Sequence, residues 1–205
     1  MKTRLHPIEI ALMLALALTL TSGAAALHSQ SALADKVVRL HVLANSDSEA
    51  DQALKLQVRD AVLARATAAL AGAADRDEAL RRLTALLPEL EAAAEAVIAE
   101  NGYAYPVRTE LAETAFPTKE YDGFALPAGE YLALRVLIGA AAGQNWWCVV
   151  FPPLCVTASC DVPAAALGAG LSEEQVALVT EADGGYVLKF KAVELWQALR
   201  ASLTR

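Results

Sequence analysis

Between Ser48 and Gly102 the apolar residues recur in steps of three and four. On either side they alternate instead. Leu54, Val58, Ala61 and Val62 stand at i, i+4, i+7 and i+8, one face of a helix. The cluster Asn45-Ser46-Asp47-Ser48 ahead of them supplies capping types. Either Ser48 with Asp51 or Ser46 with Glu49 suits a capping-box start. This helix is expected to run to about Leu70 and to end at Gly72. A second starts at Asp75, with Glu78 three residues on, and carries Leu80, Leu83, Leu87, Leu90, Ala94 and Val97 on one stripe. Asn101-Gly102 is its carboxyl-terminal cap. Pro88 lacks a backbone donor and is expected to kink or split it. Two antiparallel helices with a short joint must bury their stripes on each other or on a sheet.

Strand patterns flank the pair. Residues 37–44 (VVRLHVLA) are β-branched and apolar, with Arg39 and His41 alternating on one face. Tyr103, Tyr105, Val107, Thr109 and Leu111 alternate like a half-buried strand, and Pro106 within it marks an edge or a bent strand. A Pro- and Gly-rich loop (FPTKEYDGFALPAGEY) follows. Residues 131–138 and 146–151 read as strands, paired most simply as a hairpin across residues 139–144. Beyond Cys160, residues 162–170 read as an Ala/Gly linker. Ser172 opens a short helix, residues 186–193 read as a strand and residues 194–203 as a helix or tail. The expected class is α+β, two antiparallel helices packed on a mainly antiparallel sheet. Three units follow: an amino-terminal segment 1–34, a domain 35–160 and an extension 161–205 packed on it.

The 205 residues are 56% hydrophobic, above the usual ~45–50%. Forty-five of them are alanine, and the larger apolar residues still suffice for a core. Lys2 and Arg4 precede an apolar run of 11 residues, Ile10 to Leu20, the pattern of a secretory signal. Ala32-Leu33-Ala34 and Gly23–Ala26 are the candidate cleavage sites. The uncharged stretch Ile10 to Leu27 leaves open an uncleaved anchor over residues 8–27. Either way the rest of the chain is expected outside a membrane. It carries 15 basic and 23 acidic residues, which argues against nucleic-acid binding.

Chemistry has few carriers. Of three histidines, only His41 surely lies in the exported domain. Ser46 or another serine with His41 and Asp47 would be a Ser-His-Asp set, but no G-x-S-x-G elbow exists. Cys148 with His41 is the other nucleophile pair. The readings are a hydrogen-bonded structural His41 and, as the alternative, a cell-envelope hydrolase. Cys148, Cys155 and Cys160 contain no C-x-x-C, and no metal or cofactor is expected. Pro152-Pro153 can fold Cys155 back onto Cys148, so a disulfide is favoured over free buried thiols. In Asn145-Trp146-Trp147, adjacent residues point to opposite faces. One tryptophan is expected in the core, and the other is either exposed as an interface group or covered.

Three stretches, HVLANSDSEADQALKLQVRDAV, FPTKEYDGFALPAGEYLALRVLIG and GQNWWCVVFPPLC, resemble the stage II sporulation protein R family over roughly Lys36 to Cys155. The resemblance implies a non-enzymatic signalling protein of endospore formation. It would be made in the forespore and secreted into the intermembrane space. There it would activate a membrane-bound aspartic protease, which processes the pro-form of the early mother-cell sigma factor. Which residues touch the protease is not implied. From residue type, the candidates are His41, Asn45, Ser46, Asp47, Asn145, Trp146 and Trp147. No nucleic-acid partner is expected, and no membrane contact beyond the amino-terminal segment.

Overall fold

The computed structural model describes residues 30–154 and 162–180, with Ile8, Leu12 and Met13 besides. In chain order the elements are β1 (Val38–Leu43), α1 (Glu49–Leu70), α2 (Arg76–Glu100), β2 (Val107–Phe116), β3 (Lys119–Tyr121), β4 (Phe124–Leu126), β5 (Gly129–Ile138), β6 (Asn145–Phe151), α3 (Val162–Gly168) and α4 (Glu173–Thr180). A four-stranded sheet has the order β2-β5-β1-β6, and β3 pairs with β4 as a separate ribbon. The α+β class is as expected. The sheet is mixed: β2–β5 and β1–β6 are antiparallel, while β1 and β5 run parallel.

The helix ends form where the sequence placed them. Ser48 caps α1 by accepting the Asp51 amide, and Asp75 caps α2 by accepting that of Glu78. The Glu78 carboxylate in turn accepts the amide of Ala74, the residue ahead of the cap. At the far end of α2 the Gly102 amide reaches the Ala99 carbonyl and the Tyr103 amide that of Ile98, with Gly102 at φ +79°. That is a Schellman motif, and only glycine takes its left-handed position without strain. Ser172 and Gln175 exchange the reciprocal bonds that open α4.

Both helices lie on one face of the sheet. Leu54, Val58 and Val62 of α1 and Leu83, Leu90 and Ile98 of α2 share a core with Val38, Leu40 and Val42 of β1 and Leu134, Val136 and Ile138 of β5. Each such side chain contributes about 1.5–3 kcal/mol on burial. A second core lies on the opposite face. There Val37, Phe116, Tyr131, Ala133 and Val149 meet Phe124 and Leu126 of the ribbon and Val162, Ala166, Val176 and Val179 of α3 and α4.

Five expectations need correction. β5 and β6 are not a hairpin, because β1 lies between them and takes hydrogen bonds from both. Pro88 does not split α2, which runs unbroken from Arg76 to Glu100. Pro88 is exposed, so the carbonyl it leaves unpaired faces water. The strand after the helices starts at Val107, not Tyr103, and extends to Phe116. The loop after it holds the β3–β4 ribbon, turned at Asp122-Gly123 with Gly123 at φ +80°. Residues 162–168 form α3 rather than a linker. The strand and helix expected at residues 186–203 lie outside the described residues.

Candidate functional site

The face of the sheet turned away from α1 and α2 carries one row across all four strands. Glu110 of β2 stands beside Arg135 of β5, Arg135 beside His41 of β1, and His41 beside Trp147 of β6. Arg135 donates to Glu110 at 2.6 Å, and Arg108 reaches the other Glu110 oxygen at 3.2 Å. The His41 ring stacks on Trp147 with centroids 4.0 Å apart and 12° between planes. Phe116 meets Trp147 edge-on at 4.5 Å.

His41 is 5% exposed. Its Nε2 donates to Asn145 Oδ1 at 2.9 Å, which leaves Nδ1 the lone-pair nitrogen of a neutral ring. That nitrogen is buried without a partner. Burial pushes the His41 pKa below its ordinary value. The Asn145 bond opposes that shift, while Arg135 and Arg39 add to it.

The next row holds Arg39, flanked by Ala133 and Val149. Arg39 is fully buried. No carboxylate among the described residues meets it. Its guanidinium lies 4.0 Å from the Phe116 centroid and 4.9 Å from that of Tyr131, and Nη2 donates to the Tyr121 hydroxyl at 2.6 Å. Nη1 has no partner. Burial lowers the Arg39 pKa, partly offset by Tyr121 and Tyr131, yet the group stays a cation. The same burial raises the Tyr121 and Tyr131 pKa values. The Tyr121 hydroxyl also reaches the Trp147 carbonyl at 3.3 Å, tying the β3–β4 ribbon over this face.

The other candidates sit at the end of the sheet and bond inward. Asp51 accepts from Ser46 Oγ at 2.6 Å and from Asn45 Nδ2 at 2.9 Å, and these bonds, Ser46 first, hold its carboxyl below the usual range. Asn45 Oδ1 accepts the Ala140 amide at 2.9 Å, and Asp47 accepts the Gln144 amide at 2.6 Å. Lys55, 4% exposed, donates to the Gln144 carbonyl at 3.0 Å, and burial lowers its pKa. The β1–α1 loop is thus locked to the β5–β6 connection. A Cβ on Gly143 would stand 2.2 Å from the Ser46 carbonyl oxygen, so only glycine lets the two loops close.

The expected candidates therefore separate. His41, Asn145 and Trp147 come together on one face. Asn45, Ser46 and Asp47 serve the loop lock. Trp146 points to the helix side, with the Arg59 guanidinium 4.2 Å from its ring. Both tryptophans are half-buried, so neither is the fully buried core residue that was expected and neither is exposed. Neither hydrolase pair is assembled. Cys148 lies in the helix-side core, across the sheet from the His41 ring, and Ser46 Oγ bonds Asp51. Cys155 lies outside the described residues. Among the described residues no group of three or more His, Cys, Asp or Glu is placed to hold a metal. Sequence reasoning passed over Arg39, Arg135, Glu110, Phe116 and Tyr121. The available signal was the Arg39/His41 alternation on a strand that is otherwise all core.

The stage II sporulation protein R family model matches residues 34–161. The stage II sporulation protein R of Bacillus subtilis (strain 168) is 41% identical over 121 residues, which are 59% of this chain and 54% of that protein. The match thus spans about half of the relative's length. No solved structure matches the chain significantly. The matched region contains β1 to β6, α1 and α2, hence both the sheet-face row and the loop lock. The chain belongs to the stage II sporulation protein R family.

Proposed function

From that membership we propose that this sporulation protein is a secreted signal between the two compartments of a sporulating cell. It activates a membrane-bound aspartic protease from the extracytoplasmic side, and the protease then processes the pro-form of the early mother-cell sigma factor. The observation that carries this reading is the family match over residues 34–161. Residues 1–34 act as the export signal or, over residues 8–27, as an anchor. Among the described residues no helix is long and apolar enough to cross a membrane. Activation follows from tighter binding to the protease's active arrangement, since a ligand shifts an equilibrium only by its differential affinity.

The face that carries Asn145, Trp147 and His41 is the first candidate for contact. Asn145 is exposed, so its replacement tests contact with less risk to the core than Trp147→Ala. The reading includes a disulfide between Cys148 and Cys155. It is supported by Cys148 being a bonded rather than a free sulfur, with its partner outside the described residues. The test is sigma-factor processing in a sporulating strain that lacks this chain. Processing should stop and return with the intact gene. Normal processing without the chain would remove the proposed function.

A further inference from the structure

β2 is a ten-residue edge strand, and among the described residues hydrogen bonds close its outer side at Thr109 alone. The Thr109 amide leaves the sheet and donates to Glu91 of α2 at 2.8 Å, while the Thr109 hydroxyl reaches the Leu87 carbonyl at 3.1 Å. Amides alternate in direction along an antiparallel strand. The β2–β5 register runs without a bulge from Val107 to Phe116, so the amides of Leu111, Glu113 and Ala115 point outward with that of Thr109. Among the described residues no hydrogen bond takes them.

A second feature adjoins the open stretch. An open depression of about 300 Å³ is lined by Ala115, Phe116, Ala128, Gly129 and Glu130. Ala115 and Phe116 are the last two residues of β2, so the depression lies at the end of the free edge. Its one charged group is Glu130, which is exposed and makes no ion pair among the described residues.

We propose that residues 111–115 of β2 accept an extended segment of the partner as a fifth strand, with a lysine or arginine of that segment seated over Ala115 and Phe116 against Glu130. Main-chain bonds to the three outward residues supply the attachment, and the depression supplies side-chain choice. The aliphatic stem of the basic residue covers the apolar walls and its charge meets the carboxylate. Thr109 cannot take part, because Glu91 holds its amide, and this fixes where the added strand ends. The assignment of the segment to the protease rests on the function proposed above.

Proline discriminates here, since at an outward position it removes a donor that the β2–β5 ladder does not use. The full-length chain is supplied to the deletion strain as Glu113→Pro, Ala115→Pro, Glu113→Ala or Glu130→Lys, with exported protein and sigma-factor processing both measured. Glu113→Pro and Ala115→Pro should accumulate normally and lower processing by at least about ten-fold. Glu113→Ala, which keeps the amide, should process as the unaltered chain, and Glu130→Lys should process more slowly. Wild-type processing by the two proline variants would overturn the added strand while leaving the signalling function intact. Were the proline variants to fail to accumulate, Glu130→Lys decides, and unaltered processing by it would overturn the proposal.

Discussion

The two faces of one sheet are filled by opposite means. On the helix side, Leu40, Val42, Leu134 and Val136 meet leucines and valines of α1 and α2, and directionless apolar burial does the work. On the other side, the same strands turn Arg39 and His41 toward aromatic rings and Arg135 toward Glu110. There the cohesion is directional: a guanidinium on two π faces, a stacked imidazole, and one shared carboxylate. The first arrangement tolerates many apolar sequences. The second depends on particular atoms, and it leaves Arg39 Nη1 and His41 Nδ1 buried without partners.

Breaking the helix side should have the larger effect. Leu83→Ala, at a fully buried position of α2, is expected to cost about 2–5 kcal/mol in urea denaturation. Arg39→Lys keeps the charge but loses the planar stack on Phe116 and Tyr131. A loss of about 1–2 kcal/mol by the same measurement is expected. A loss equal to that of Leu83→Ala would show the two faces to be energetically alike. The smallest effect concerns His41. Its folded pKa lies below the unfolded value of 6.5. The neutral ring's contribution is thus complete above that value, and it is lost as pH falls from there through the lowered folded pKa. Melting temperature should fall over that window in the unaltered protein, and less in His41→Gln. Equal slopes would mean that His41 is not held neutral.

The helix side was legible because its signals are local. Caps at Ser48, Asp75 and Gly102 and a three-four rhythm need no knowledge of distant partners, and all three caps formed. Sheet order was not legible, for the opposite reason. Residues 131–138 and 146–151 are neighbours in sequence, and a hairpin is the shortest connection. Nothing local reveals that β1 enters between them. The loop lock is the physical cause: the Gly143 amide bonds the Ala44 carbonyl and the Ala142 amide that of Asn45, so the connection bridges over the end of β1. That lock also consumes Asn45, Ser46 and Asp47, whose polarity suggested an outward role. Arg39 was not among the candidates because a cation on a strand reads as solvent-facing until the rings that cover it are known. The Asp122-Gly123 turn was readable, and the prolines around it concealed the ribbon.

β1 opens the described sheet and yet occupies its interior, and its partners arrive late. His41 and Asn145, which bond each other, are 104 residues apart in the chain. The helical hairpin can form from contacts within its own span, whereas no strand pairs with β1 until β5 and β6 have been delivered. Non-local pairing of this kind makes folding slow. For a chain proposed to be threaded through a membrane amino terminus first, that order acts as a timer. On that proposal β1 would gain its first strand partner only when residues 129–138 had emerged, and the sheet could be completed only after the Asn145-Trp146-Trp147 segment followed.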